Sequence, residues 1–243
     1  MSNQDPSTIA DFLYFMELRY DDARNKREGD LLWQLGRISP GERVLDICCG
    51  WGRTARYLTD RGVDVVGIDN SPEMIARARS AAPKAEYHIR DMRDLSGLGR
   101  FDVALIWWSS FGIFDDRTDR EILQQVAALL RPGGRLVVET VNGPILYQEW
   151  ANNPGGKTVS VERDNNIMVD HRQMKPDGRR IAGERTMYRN GDVTRLGYDV
   201  RVFTPSELEY WMLTCGFKDV ALYDRKGNDL TLSSYGMVAV GTV

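Results

Sequence analysis

The chain has 243 residues, enough for one large domain with a sizeable core. Apolar residues make up 42% and charged residues 28%, an ordinary globular balance that excludes a disordered chain. The formal net charge of −3, from 32 basic and 35 acidic side chains, argues against a nucleic-acid binder. Met1-Ser2-Asn3-Gln4-Asp5-Pro6 shows no secretory pattern, and no apolar run approaches the roughly 18 residues of a membrane span. Three cysteines, Cys48 and Cys49 being adjacent, give neither a disulfide framework nor zinc spacing. No metal-ligand cluster stands out, and a reducing cytoplasm is the expected compartment.

Residues 1–8 read as a loose lead-in to a helical cap that extends to residue 36. Ile9, Phe12, Leu13 and Met16 recur at helical spacing, and a second helix is expected from Arg27 to Leu35. Strands and helices then alternate. Arg43–Ile47, Asp64–Ile68, Glu86–Ile89, Phe101–Trp107 and Arg135–Val141 read as strands, several near-continuously apolar, as in a parallel sheet covered on both faces. Ser71-Pro72 marks one helix start, and Thr118 with Glu121 forms a capping-box pattern for another. Pro132-Gly133-Gly134 is expected to end that helix and turn into the next strand.

The alternation breaks over residues 157–203. Lys175-Pro176-Asp177-Gly178 and Asn190-Gly191 are hairpin turns between β-like runs, so this stretch reads as an antiparallel insertion, a lid or wall over a cleft. Thr204-Pro205-Ser206-Glu207 opens a further helix, which Gly216 ends. Val220–Tyr223 and Met237–Val240 are too close for a parallel crossover and should form an antiparallel hairpin. The expected architecture is a single α/β domain over 1–243: a doubly wound, Rossmann-like seven-stranded sheet with its last strand antiparallel, N-terminal helices and an antiparallel β insertion.

The most informative local pattern is Val44-Leu45-Asp46-Ile47-Cys48-Cys49-Gly50-Trp51-Gly52. A strand, a glycine turn and a helix start let backbone approach a ligand closely. Gly50-x-Gly52-x-x-Ala55, with Asp69 beyond it, also matches a nucleotide fingerprint. Asp46 at the loop's mouth disfavours a pyrophosphate and favours a ligand carrying an ammonium group and no phosphate.

Asp46-x-x-x-Gly50-x-Gly52 resembles the first motif of class I S-adenosylmethionine-dependent methyltransferases. The resemblance continues through Val65–Asp69, Asp91–Leu95, Phe101–Ile106 and Leu130–Leu136, and Trp108–Phe114 resembles the branch that acts on small molecules. It implies that Asp46 and the Gly50–Gly52 loop hold the amino-acid tail of S-adenosylmethionine. Asp69 and Asn70 would lie at the ribose, Asp91 and Met92 would read adenine, and Met74 and Trp107 would flank the adenosine. Tyr20 and Arg27 are similar to a Tyr–Arg pair of glycine-methyltransferase-like enzymes in which the arginine grips the cofactor carboxylate; Arg19, Arg24 and Lys26 are close competitors. The product would be S-adenosyl-L-homocysteine.

Strand ends supply the substrate candidates Trp108, Glu139 and Asn142. Of the two histidines, His88 reads as structural and His171 as the candidate general base or a surface strand residue. Cys48 and Cys49 read as small residues filling a tight turn, and Arg53 as either a site residue or a solvated one. Segment 157–201 has ten Lys/Arg against seven Asp/Glu, and Arg172 or Arg185 is a candidate clamp for a substrate carboxylate or phosphate. The expected partner is a small molecule, with no nucleic acid or membrane and with a homodimer possible. The competing functions are a nicotinamide-dependent oxidoreductase and a non-catalytic cofactor-binding module.

Overall fold

In the computed structural model, which describes residues 6–243, two sheets carry the architecture. The helices are α1 (Pro6–Glu17), α2 (Asp22–Leu35), α3 (Arg53–Thr59), α4 (Pro72–Ala81), α5 (Asp116–Leu129), α6 (Gly143–Ala151) and α7 (Pro205–Thr214). The core strands are β1 (Arg43–Ile47), β2 (Asp64–Asp69), β3 (Glu86–Ile89), β4 (Phe101–Ile106) and β5 (Leu130–Val141), with β10 (Asp219–Asp224) and β11 (Gly236–Thr242). They form a seven-stranded sheet ordered β10-β11-β5-β4-β1-β2-β3, in which β11 runs antiparallel to both neighbours. The order reverses between β1 and β4, so a crevice opens beyond their carboxyl ends.

Period-two alternation puts successive side chains on opposite faces. Leu45, Ile47, Ala104 and Ile106 pack beneath Ile122, Val126, Leu208 and Met212 of α5 and α7. Val44, Val65, Val103 and Leu105 pack on the other face against α2, α3 and α4, through Leu32, Leu58 and Ile75. Both faces are covered, as the near-continuous apolar runs require.

The insertion is a four-stranded antiparallel meander of β6 (Lys157–Arg163), β7 (Asn166–Met174), β8 (Arg180–Arg189) and β9 (Asp192–Arg201). Helix α1 bridges this sheet and the core. Asp11 accepts from Arg189 Nη1 at 3.0 Å and Thr194 Oγ1 at 2.8 Å, while Ile9 and Leu13 pack on Met74 of α4.

Several local expectations shift. Of the lead-in read as loose, residues 1–5 lie outside the described residues, and α1 already begins at Pro6. Helix α2 starts well before Arg27, because Asp21 accepts the Arg24 N–H at 2.7 Å as an N-cap. Asp115 rather than Thr118 caps α5, accepting from Arg117 N at 3.1 Å and Thr118 N at 3.0 Å. Asp115 thus takes the Thr118 N–H that the capping box would have given to Glu121, and α5 begins before Thr118. Pro132-Gly133-Gly134 lies within β5, where a register shift separates the Phe101–Leu130 and Val103–Arg135 pairs. Helix α6 has no counterpart in the sequence reading.

Candidate functional site

At the end of β1 the chain turns through Cys48 (φ 60°), Gly50 (φ 54°) and Gly52 (φ 80°), three left-handed residues in a short stretch. The two glycines do different work. A Cβ at Gly50 would meet nothing within 4 Å, so the loop backbone there stands open. A Cβ at Gly52 would lie 2.9 Å from Tyr87 Oη and 3.0 Å from Ala78 Cα, so this glycine lets α4 and β3 pack closely. Gly52, expected at the ligand, serves packing here and does not line the cleft.

The loop borders a cleft of about 610 Å³. Asp46, Gly50, Asp69, Asn70, Met74, Asp91, Met92, Trp107 and Trp108 all line it, together with Arg172, Arg185 and Tyr198 of the insertion and Ile9, Phe12 and Met16 of α1. Asp46 is 2% exposed, and its Oδ2 is buried with no hydrogen-bond partner among the described residues. Burial pushes its carboxyl up to about 7, with the Arg53 guanidinium pulling down and Asp69 pushing further up. A buried, unsatisfied acceptor is costly, so this oxygen is set for a donor from a ligand.

Asp69 uses one oxygen for Gly50 N (3.1 Å) and the other for Ser71 N (2.9 Å). Each oxygen retains acceptor capacity, and burial raises this carboxyl as well. Asp91 is held by Arg93 through Nη2 at 2.7 Å and Nε at 3.0 Å, and that pairing keeps it below the usual carboxylate range. Burial pushes the Cys48 and Cys49 thiols well above their ordinary value, so neither is an activated nucleophile.

Trp108 (φ 71°) and Ser109 (φ 52°) are consecutive left-handed non-glycine residues, each a strained conformation of order 1–3 kcal/mol. The turn hands Ser109 N to Glu139 at 3.2 Å and lays the Trp108 ring 3.8 Å from that of Tyr20, with Trp51 beyond at 5.9 Å. Arg53 fills the cage so formed, 4.2 Å from the Tyr20 ring and 4.5 Å from that of Trp108, and pairs with Glu28 at 3.1 Å. Arg24 also lies 4.3 Å from the Tyr20 ring. Burial is the main influence on the Tyr20 hydroxyl, which is pushed up to about 12.

Four expected site residues do not line the cleft. Arg27 is exposed on the outer side of α2, and Arg24 and Arg53 occupy the place beside Tyr20. Tyr20 itself backs Trp51 and Trp108 without lining the cleft. Glu139, 2% exposed, is tied to Arg225 and Ser109. Asn142, fully buried, donates to Thr231 O (3.1 Å) and Ser234 O (2.9 Å), closing the loop before β11.

The candidate base also moves. His171 is exposed, bonded to Thr158 Oγ1 at 2.9 Å, and absent from the cleft wall; strand alternation gives the wall to its neighbour Arg172. His88 lies on edge strand β3 with Nε2 2.8 Å from Glu86. The sequence reading also omitted Trp51, Thr140 and Tyr198. Trp51 carried a usable signal, a large aromatic inside a glycine turn, whereas Thr140 and Tyr198 depend on which strand face meets the cleft.

Residues 44–134, the segment carrying the loop, Asp69 and Asp91, match the family model of a methyltransferase domain. That segment is similar to a methyltransferase domain. The chain is 34% identical over 116 residues to an uncharacterized methyltransferase of Synechocystis sp., covering 46% of this chain and 53% of the relative. It is 35% identical over 117 residues to a dTDP-3-amino-3,6-dideoxy-alpha-D-glucopyranose N,N-dimethyltransferase of Streptomyces fradiae, covering 47% of this chain and 46% of the relative. The chain thus spans about half the length of these relatives. The methyltransferase fold extends further than the sequence likeness. A solved S-adenosylmethionine-dependent methyltransferase from Clostridium acetobutylicum superposes with a TM-score of 0.80 at 16% identity, over 98% of this chain and 99% of that one. The seven-stranded methyltransferase sheet and the antiparallel insertion agree with the expected fold class. Among the described residues, no helix is long and apolar enough to cross a membrane.

Proposed function

We propose that the protein transfers a methyl group from S-adenosylmethionine to a nitrogen, oxygen or carbon atom of a small molecule, leaving S-adenosylhomocysteine. The observation that carries this reading is the buried, unpartnered Asp46 oxygen beside the open backbone of Gly50. A dinucleotide would bring a pyrophosphate to that carboxylate, whereas an amino-acid tail brings an ammonium. The insertion over the cleft favours an enclosed substrate site over a bare binding module. The name of the Streptomyces fradiae relative supports a small-molecule acceptor.

When bound, S-adenosylmethionine supplies a methyl group already activated for in-line displacement. The residues of the chain then have to bind, orient and exclude water. Asp46 holds the ammonium, and Arg53, caged by Tyr20 and Trp108, takes the carboxylate role that the resemblance gave to Arg27. Asp69 accepts from the ribose hydroxyls, and Asp91 and Met92 read adenine between Met74 and Trp107. Orientation of this kind can supply roughly 7–11 kcal/mol of the barrier. With both histidines off the wall, a nucleophile that arrives without its proton, such as a neutral amine, suits the cleft best.

Calorimetric titration tests the reading: S-adenosylhomocysteine should bind at one site and NADH should not. Binding of NADH alone would overturn it.

A second expected result concerns pH. The native state holds the Asp46 proton from the ordinary carboxylate range, about 4, up to about 7. Stability from that proton is complete below about pH 4 and is lost as pH rises through about 7. Ammonium binding requires the ionised form, so affinity for S-adenosylhomocysteine should rise between about pH 5.5 and 7.5, by up to about tenfold per unit. Asp46→Asn should flatten that slope. An equal slope in the variant would assign the titration to another group.

A further inference from the structure

The register of the insertion gathers a small charged group on the face that meets the cleft. Asp170 of β7 stands opposite Arg185 of β8, and Arg172 stands opposite Gly183, which in turn faces Tyr198 of β9. Tyr198 Oη donates to Asp170 Oδ1 at 2.7 Å, and Arg185 Nε lies 3.4 Å from Asp170 Oδ2. Arg185 is further held over the Tyr198 ring at 4.3 Å and near Phe12 at 5.3 Å. One carboxylate therefore pairs with Arg185 and orients Tyr198, and it acts on Arg172 only through space, beyond ion-pair distance.

Arg172 donates to Tyr235 Oη at 3.3 Å, and its Nε is buried with no partner. Among the described residues no carboxylate lies within 4.0 Å of it. Of the other arginines on the same wall, Arg53 has Glu28 at 3.1 Å, Arg93 has Asp91 at 2.7 Å and Arg201 has Glu207 at 3.1 Å, while Arg90 donates to the Ser96 carbonyl. Two guanidinium groups and one carboxylate leave a positive charge uncompensated where water access is reduced. Burying a cation without an acceptor is expensive, and a planar fork matches an oxyanion.

We propose that Arg172 and Arg185 form the subsite for an oxyanion group, a carboxylate or phosphate, carried by the methyl-accepting molecule. The substrate assignment rests on the methyl-transfer reading; the anion subsite itself is tested apart from turnover. Such a group would supply the missing negative charge and anchor the acceptor under the insertion, in the same cleft as Asp46 and Asp69.

Inorganic phosphate and acetate are the probes, titrated into the protein with and without saturating S-adenosylhomocysteine, at ionic strength held constant with sodium chloride. Calorimetry and melting temperature are the readouts. At least one probe should bind saturably, and which one binds separates a phosphate-bearing from a carboxylate-bearing acceptor. Arg172→Met and Arg185→Met should each weaken that binding by about tenfold or more. Affinity for S-adenosylhomocysteine should be unchanged. If Arg172→Met does not fold, Arg172→Lys decides, because a point charge without the fork should also weaken the anion. The proposal falls if neither probe binds the wild type, or if the folded variants bind it equally well. Failure of S-adenosylhomocysteine to bind the wild type would instead overturn the methyl-transfer reading, and the titrations without it would still report on the arginines.

Discussion

Asp69→Ala is expected to weaken S-adenosylhomocysteine binding by about 2–3 kcal/mol, roughly 30- to 150-fold in affinity. Both carboxylate oxygens sit at the cleft with one backbone donor each, from Gly50 and Ser71. Alanine removes the charge-assisted bonds to the ribose and also frees the Gly50 amide that shapes the loop. Asp69→Asn keeps one acceptor oxygen and lacks the charge, so its loss should be intermediate. Calorimetry on variants shown to fold by circular dichroism reads the effect directly. A folded Asp69→Ala protein with wild-type affinity would mean that the ribose lies elsewhere.

Phe203→Ala should cost about 3–5 kcal/mol of stability, the usual range for deleting a buried aromatic ring. Phe203 is fully buried just after β9, where the insertion rejoins the core. Its ring stacks on Phe111 at 5.5 Å and meets Trp211 edge-on at 5.1 Å. Its carbonyl accepts from Gly143 N at 2.8 Å, which fixes the start of α6. A cavity here would loosen three elements together, and α7 and α6 are unable to close in without losing their contacts with the sheet. For a chain of this length the melting temperature should fall by about 6–20 °C. Urea unfolding with an unchanged m-value would confirm a loss of packing, and a loss below about 1 kcal/mol would show that the junction repacks.

His171 and Arg172 show how much depends on one residue of register. Both lie in a segment whose alternation is visible in the sequence, and both are plausible cleft residues there. Alternation states only that they face opposite ways; the packing of the meander against α1, α6 and the loop after β4 decides that Arg172 faces in. Arg27, Arg24 and Arg53 make the same point across helices. Their choice beside Tyr20 follows from where α2 starts, which the Asp21 cap sets, and from a loop far along the chain that brings Trp108 to the cage. Glu139 and Asn142 stand at the end of β5 as expected, yet Arg225 and the loop before β11 claim them, and those partners lie 86–92 residues away.

What the amino-acid order determined alone was local or periodic. Strand–helix alternation, the Asp46 loop with Asp69 and Asp91, the turns at Gly178 and Gly191 and the closing hairpin are each encoded within a few residues, where sterics and period settle the outcome. The tertiary structure decided which faces meet, since partners distant in the chain compete for the same donors and acceptors. It placed Arg53 in the aromatic cage, gave Gly52 to packing and left Arg172 without a carboxylate, because burial removes water as the alternative partner.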